Sequence, residues 1–245
     1  MTALSLIGDS WETYLDNLKL VLLFSIPFLI AFAIPLLAPL PTYITGGAIF
    51  LRTASIFLNI DVLGLAVIVV SLFLSLLFLS FAFVAISLIV KSKRTFTKHT
   101  GSVMRGVERY TARVFALLLA YAVALILINV FSYAAGLEQV ITPIAGFFIF
   151  MLIFYAPTAI VMDDRPIGDA ISQSASMVFR EPWYFLLWFV LIFITVSAVD
   201  FLAIAFTGTI ASRYVLLVVN SLIILPYFVI FQAEAYMRRF TILKH

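Results

Sequence analysis

The sequence predicts an all-α polytopic membrane protein: six transmembrane helices in three repeats of an amphipathic helix followed by a helical hairpin. Three observations predict it. Hydrophobic residues make up 64% of the 245 residues and charged residues 11%, where soluble domains average about 45–50% and about 25%. Six runs are long enough to cross a bilayer core about 30 Å thick, which takes roughly 20 apolar residues in a helix. Of the 15 Lys and Arg, all but Arg52 and Arg213 fall on one side of the six-span pattern, and cytoplasmic loops carry such an excess.

The runs are Leu20–Leu40, Val62–Val90, Val114–Ala135, Val140–Met162, Trp183–Phe206 and Tyr214–Met237. They are continuous rather than alternating, which argues against a membrane β-barrel. The second would extend about 43 Å as a helix and is expected to tilt or to project beyond the lipid. Pro27, Pro35, Pro157 and Pro226 are expected to kink their spans, because proline lacks a donor and crowds the carbonyl one turn earlier. The long outside stretch Pro41–Asp61 reads as an interfacial helix carrying Phe50, Leu51, Ile56, Phe57 and Ile60. A re-entrant segment turning at Gly46 and Gly47 is the rival reading.

Charge orients the spans. With both termini cytoplasmic, the inside set is Lys19, Lys91, Lys93, Arg94, Lys98, Arg105, Arg109, Arg113, Arg165, Arg180, Arg238, Arg239 and Lys244. The first eighteen residues contain Asp9, Glu12 and Asp16 but no Lys or Arg. The first span therefore reads as a retained segment and not as a signal peptide. The chain is expected to form a single membrane domain over residues 1–245.

A repeat emerges in the segments that precede spans one, three and five, at about residues 3–19, 98–113 and 166–181. Each is amphipathic at helical period. Leu4, Ile7, Trp11, Tyr14, Leu15 and Leu18 form the first stripe, opposite Asp9, Glu12 and Asp16. Val103, Val107, Tyr110 and Val114 form the second, opposite Lys98, Arg105, Arg109 and Arg113. Ile167, Ile171 and Val178 form the third, opposite Asp169, Gln173, Ser176 and Arg180. Asp164 before Pro166 is expected to cap the third helix. Such helices serve as interfacial anchors or as docking surfaces for a cytoplasmic partner.

Residues able to do chemistry are few. The two His are His99 and His245, and there is no Cys, so neither a Ser–His dyad nor a His or thiolate metal site is expected. No Gly-rich phosphate loop occurs. No catalytic residue and no cofactor are expected. Asp163, Asp164 and Asp169 are the weak candidates for a divalent ion at the inner surface, and the rival reading makes them the end of a span and the cap of a helix. Within the spans lie two ionisable residues, Asp200 and Glu234. Burial in lipid is unfavourable by roughly 2.5–3.5 kcal/mol at mid-depth, so such residues are the default functional candidates. Glu234 stands one turn before Arg238, which can neutralise it. Asn129, Asn220 and Gln232 complete the candidate polar set, either lining a pathway or joining helices by hydrogen bonds. The 25 Phe residues are expected to be mostly lipid-facing bulk. Lys91, Lys93, Arg94, Lys98, Arg105, Arg109 and Arg113 form a candidate surface for anionic headgroups or a protein partner. Nucleic acid is not expected.

One stretch carries a resemblance. Ala156–Pro157–Thr158–Ala159–Ile160–Val161–Met162–Asp163–Asp164 is followed by Asp169–Ala170–Ile171–Ser172–Gln173–Ser174 and then by Trp183. It resembles the six-span prokaryotic integral membrane proteins related to the membrane domain attached to some glycerophosphodiester phosphodiesterases. In that family a proline-containing apolar run ends in an acidic turn, and an A-x-x-x-S amphipathic helix and an aromatic-led span follow. The resemblance covers about residues 150–195 and implies a six-helix fold in a prokaryotic cell membrane. The soluble phosphodiesterase domain has no counterpart here, so that activity is not carried over. Three functions follow as expectations: transport, channel or lipid handling first; an accessory or scaffold subunit second; a lipid-acting enzyme using Asp163, Asp164 and Asp169 third.

Overall fold

A segment surrounded by hydrocarbon must satisfy its own backbone hydrogen bonds, and the apolar runs of this chain do so as helices. The computed structural model describes residues 3–37, 42–45, 48–51, 62–95 and 100–241. Among the described residues six helices are long and apolar enough to cross a membrane, so the chain is an all-α multi-pass membrane protein.

Helix α1 (Ala3–Asp16) leads through Asn17 into α2 (Leu18–Leu37), which is span one and continues through Pro27 and Pro35. Strands β1 (Thr42–Thr45) and β2 (Ala48–Leu51) then pair antiparallel, Thr42 opposite Leu51 and Thr45 opposite Ala48. This corrects the expected interfacial helix, since Phe50 and Leu51 lie in a strand. The intervening sequence is Gly-Gly, which two-residue hairpins favour, between segments rich in Thr and Ile. Ile56, Phe57 and Ile60 lie outside the described residues.

Span two is α3 (Val62–Thr95), whose 34 residues extend about 51 Å. Span three is part of α4 (Thr100–Tyr133), so the second amphipathic segment and its span form one helix. A turn at Gly136, whose φ is 67°, reverses the chain. Span four is divided, as Pro157 foretells, into α5 (Glu138–Ile153) and α6 (Ala156–Asp163). Helix α7 (Ile167–Arg180) is the third amphipathic element. Helix α8 (Pro182–Val219) contains span five and the beginning of span six. It is interrupted at Gly208, where φ 73° and ψ 170° suit glycine alone. A π-turn over Asn220–Ile224 precedes α9 (Leu225–Thr241). There the Leu225 N–H reaches back to the Asn220 carbonyl, one residue ahead of Pro226, which has no N–H to offer.

The core gathers where the Lys- and Arg-rich ends of the helices meet. Ala82–Ile86 of α3, Tyr155–Val161 of span four and Ile230–Tyr236 of α9 contribute fully buried residues to it. Phe28, Phe154, Phe185, Phe228 and Phe231 are buried too, so these phenylalanines build the interior and are not lipid-facing bulk.

The structure refines the first amphipathic element and corrects the cap expected for the third. On α1 the buried edge is Leu6, Ser10, Thr13 and Tyr14, whereas Trp11, Leu15 and Leu18 are exposed. A helix lying between protein and lipid presents an edge to each, and its sequence reveals the apolar edge first. Burial raises the pKa of the Tyr14 hydroxyl above its ordinary value. On α7 the N-cap residue is Pro166 and no side chain caps the helix. Asp164 instead terminates α6 in the left-handed region, with φ 55°, and two arginines of α4 engage its carboxylate.

Candidate functional site

The interruption of span four places unsatisfied backbone groups deep inside the bundle, and two side chains from elsewhere complete them. The Tyr155 N–H donates to Ser174 Oγ of α7 at 2.8 Å. The Phe154 carbonyl accepts a hydrogen bond from Gln232 Nε2 of α9. Ser174 is fully buried beside Ala170, which gives a physical reason for the A-x-x-x-S spacing. The small residue lets α7 approach, and the hydroxyl one turn later meets the open amide.

Beside this interruption lies a cavity of about 420 Å³, within the range of about 300–1,000 Å³ typical of ligand pockets. All six spans line it, through residues such as Phe28, Leu79, Tyr121, Phe150, Trp188 and Gln232. By their positions along the helices these residues run from the middle of the spans, at Phe28, Leu79 and Tyr121, toward the Lys- and Arg-rich ends, at Trp188 and Gln232. The side-chain donors at its wall are already engaged. Tyr121 Oη donates to the Gly146 carbonyl at 3.3 Å, Trp188 Nε1 donates to the Phe228 carbonyl at 3.0 Å, and Gln232 is bound as above. The remaining lining is hydrocarbon and aromatic ring.

Of the expected polar set, the cavity takes up Gln232 and leaves the others elsewhere. Glu234 is 3% exposed and accepts a hydrogen bond from Thr13 Oγ1 of α1 at 3.1 Å. Arg238, with its side chain 7% exposed, engages Asp9, and donates to Ser5 Oγ at 2.9 Å. Asn129 Nδ2 donates to Thr142 Oγ1 at 3.3 Å, tying spans three and four near the opposite face. Asn220 is buried at the π-turn. Asp200 is half-buried in α8 and makes no hydrogen bond or ion pair among the described residues.

A polar girdle rings the Lys- and Arg-rich face. Lys91 Nζ donates to the Val161 carbonyl at 2.6 Å and stands 5.3 Å from the Tyr110 ring centre. Lys93 bridges Asp16 at 3.0 Å and Thr13 at 3.3 Å. Arg113 meets Asp164 at 2.8 Å, and Arg109 meets the same carboxylate. Tyr236 Oη donates to Asp163 at 2.7 Å, and Arg165 approaches the same oxygen at 3.4 Å. Asp163 and Asp164 are thus held by cations and a hydroxyl, while Asp169 is exposed in the first turn of α7. No three His, Asp or Glu side chains among the described residues stand together as metal ligands would. Lys98 and the side chains of Arg94 and Arg105 lie outside the described residues.

Unnoticed in the sequence were Tyr121 and Trp188 at the cavity and the ring series Phe147, Phe150 and Phe154, of which the last two line it. A signal existed in that last spacing, which puts three rings on one helical face. It is indistinguishable by composition from the face that meets lipid. Comparison with family models, with curated proteins and with solved structures found no match.

Proposed function

We propose that this multi-pass protein handles lipid, its central cavity accepting an apolar chain, and that it does so in a cell membrane with both termini cytoplasmic and without catalysis of its own. The observation that carries the reading is the cavity's chemistry. A path for ions or polar solutes needs polar groups facing the solute, and here the side-chain donors at the wall are engaged by backbone carbonyls. Neither Asp200 nor Glu234 is among the lining residues. An apolar pocket enclosed by membrane-crossing helices matches what surrounds them, the hydrocarbon tail of a lipid.

The girdle supports the same reading from the interface. Arg109 is 58% exposed on its side chain, so it keeps donors free for an anionic headgroup beyond its contact with Asp164. The experiment is native mass spectrometry of the protein released from membranes. Retained lipid is expected on the wild type and a loss of at least tenfold in occupancy on Val229→Trp, which sets an indole ring into the cavity from its wall. Bare wild-type protein, or equal retention by the variant, would refute the reading.

A further inference from the structure

Resting on the lipid-handling reading above, we propose that the ligand is the chain of a bilayer lipid and that it arrives sideways, between spans four and five, through a seam of aromatic rings. The alternative route from the Lys- and Arg-rich face is closed. One helical turn beyond the cavity residues Phe83, Pro157 and Gln232 stand Ile86, Val161 and Tyr236, all fully buried. A ligand from water on that side would have to part the best-packed layer of the protein.

The two sides of α5 are held differently. Toward span three it is tied by the Tyr121 hydroxyl on Gly146 and by Asn129 on Thr142. Close approach adds to this, since a Cβ on Gly146 would stand 3.1 Å from the Leu125 side chain. Toward α8 the contacts are ring on ring: Phe147 with Phe189 at 5.7 Å between centres, Phe150 with Trp188 at 6.3 Å, and Phe154 with Phe185 at 5.0 Å. The phenylalanine rings slide and tip against one another without breaking a hydrogen bond, while Trp188 is anchored to the Phe228 carbonyl of span six at 3.0 Å. Phe147 and Phe189 are exposed to the surroundings, whereas Phe150 and Trp188 line the cavity. The seam is therefore about one ring deep between lipid and pocket.

Span five is also bracketed by interruptions of its backbone. Glu181, at φ −133° and ψ 61°, precedes it, and Gly208, at φ 73° and ψ 170°, ends it. A rod between two non-helical residues pivots without loss of its own hydrogen bonds, as hinged elements do. Toward the outer face its Phe193 and Ile194 are exposed, as is Ile144 of α5. The seam lies where lipid tails already lap against both helices.

The chain contains no Cys, so Phe147→Cys with Phe189→Cys permits a bridge by a short bis-methanethiosulfonate, verified by mass. The probe is a phosphatidylcholine with a diazirine in its acyl chain, added to protein in nanodiscs, and the readout is the rate at which cavity peptides become photolabelled. The bridge is expected to slow labelling at least tenfold and its reduction to restore the rate, while Phe189→Ala alone should speed labelling at least threefold. A rate indifferent to both changes would overturn the lateral route and leave the cavity reading in place. Absence of cavity labelling in unbridged protein would overturn both.

Discussion

Spans five and six are built from the same apolar residue types, yet 56% of the most apolar stretch of span six is buried against 6% for span five. Hydrophobicity does not separate them, because in lipid an apolar side chain is equally at home inside or outside the bundle. What separates them is polarity. Span six carries Asn220, Ser221, Gln232, Glu234 and Arg238, all buried, and Gln232, Glu234 and Arg238 are bound to partners on other helices. Span five has Ser197 exposed and Asp200 half-buried, so little pulls it inward beyond its rings. In this molecule sparse polar groups decide which helix is the axis and which is the flank.

The contrast can be broken first at its packed side. Ile160→Ala removes a fully buried side chain beside span six and should cost about 2–5 kcal/mol, read as a lower midpoint in thermal unfolding in detergent. Next come the side chains that complete span four. Gln232→Leu and Ser174→Ala each strand a buried backbone group, for about 1–3 kcal/mol, and hydrogen exchange at residues 153–158 should accelerate in both. Arg109→Gln breaks a largely exposed contact worth about 0–1 kcal/mol. Its measurable effect should be weaker copurification of anionic lipid, with the melting point nearly unchanged. At the flank, Phe193→Leu should stay within about 0.5 kcal/mol of the wild type. A large loss there would show that span five is packed against something the single chain does not contain.

The spans were legible because hydropathy sums over some twenty residues, so errors at single positions cancel. Pro157 announced the interruption of span four, and the charge of Glu234 announced a residue worth locating. Other features were not legible, for reasons of distance and degeneracy. One Glu234 contact comes from Thr13, 221 positions away, beyond the reach of any local spacing. The cavity is lined by Phe and Leu, the residues that also face lipid, so no compositional mark distinguishes its wall from the outside of the bundle. On α1 the apolar stripe was legible, but the buried edge beside it, containing Ser10 and Thr13, was not, because its polar residues carry no hydropathy signal. The hairpin at residues 42–51 was masked by its apolar composition, although Gly-Gly between β-formers was a usable signal.

The interruption in span four also has a bearing on biosynthesis. A helix leaving the ribosome with an open amide at Tyr155 and an open carbonyl at Phe154 has both groups unmatched until later parts of the chain exist. Ser174 follows after nineteen residues and Gln232 after seventy-eight. The fourth crossing is therefore finished late, and assembly should stall recognisably in chains truncated before residue 232.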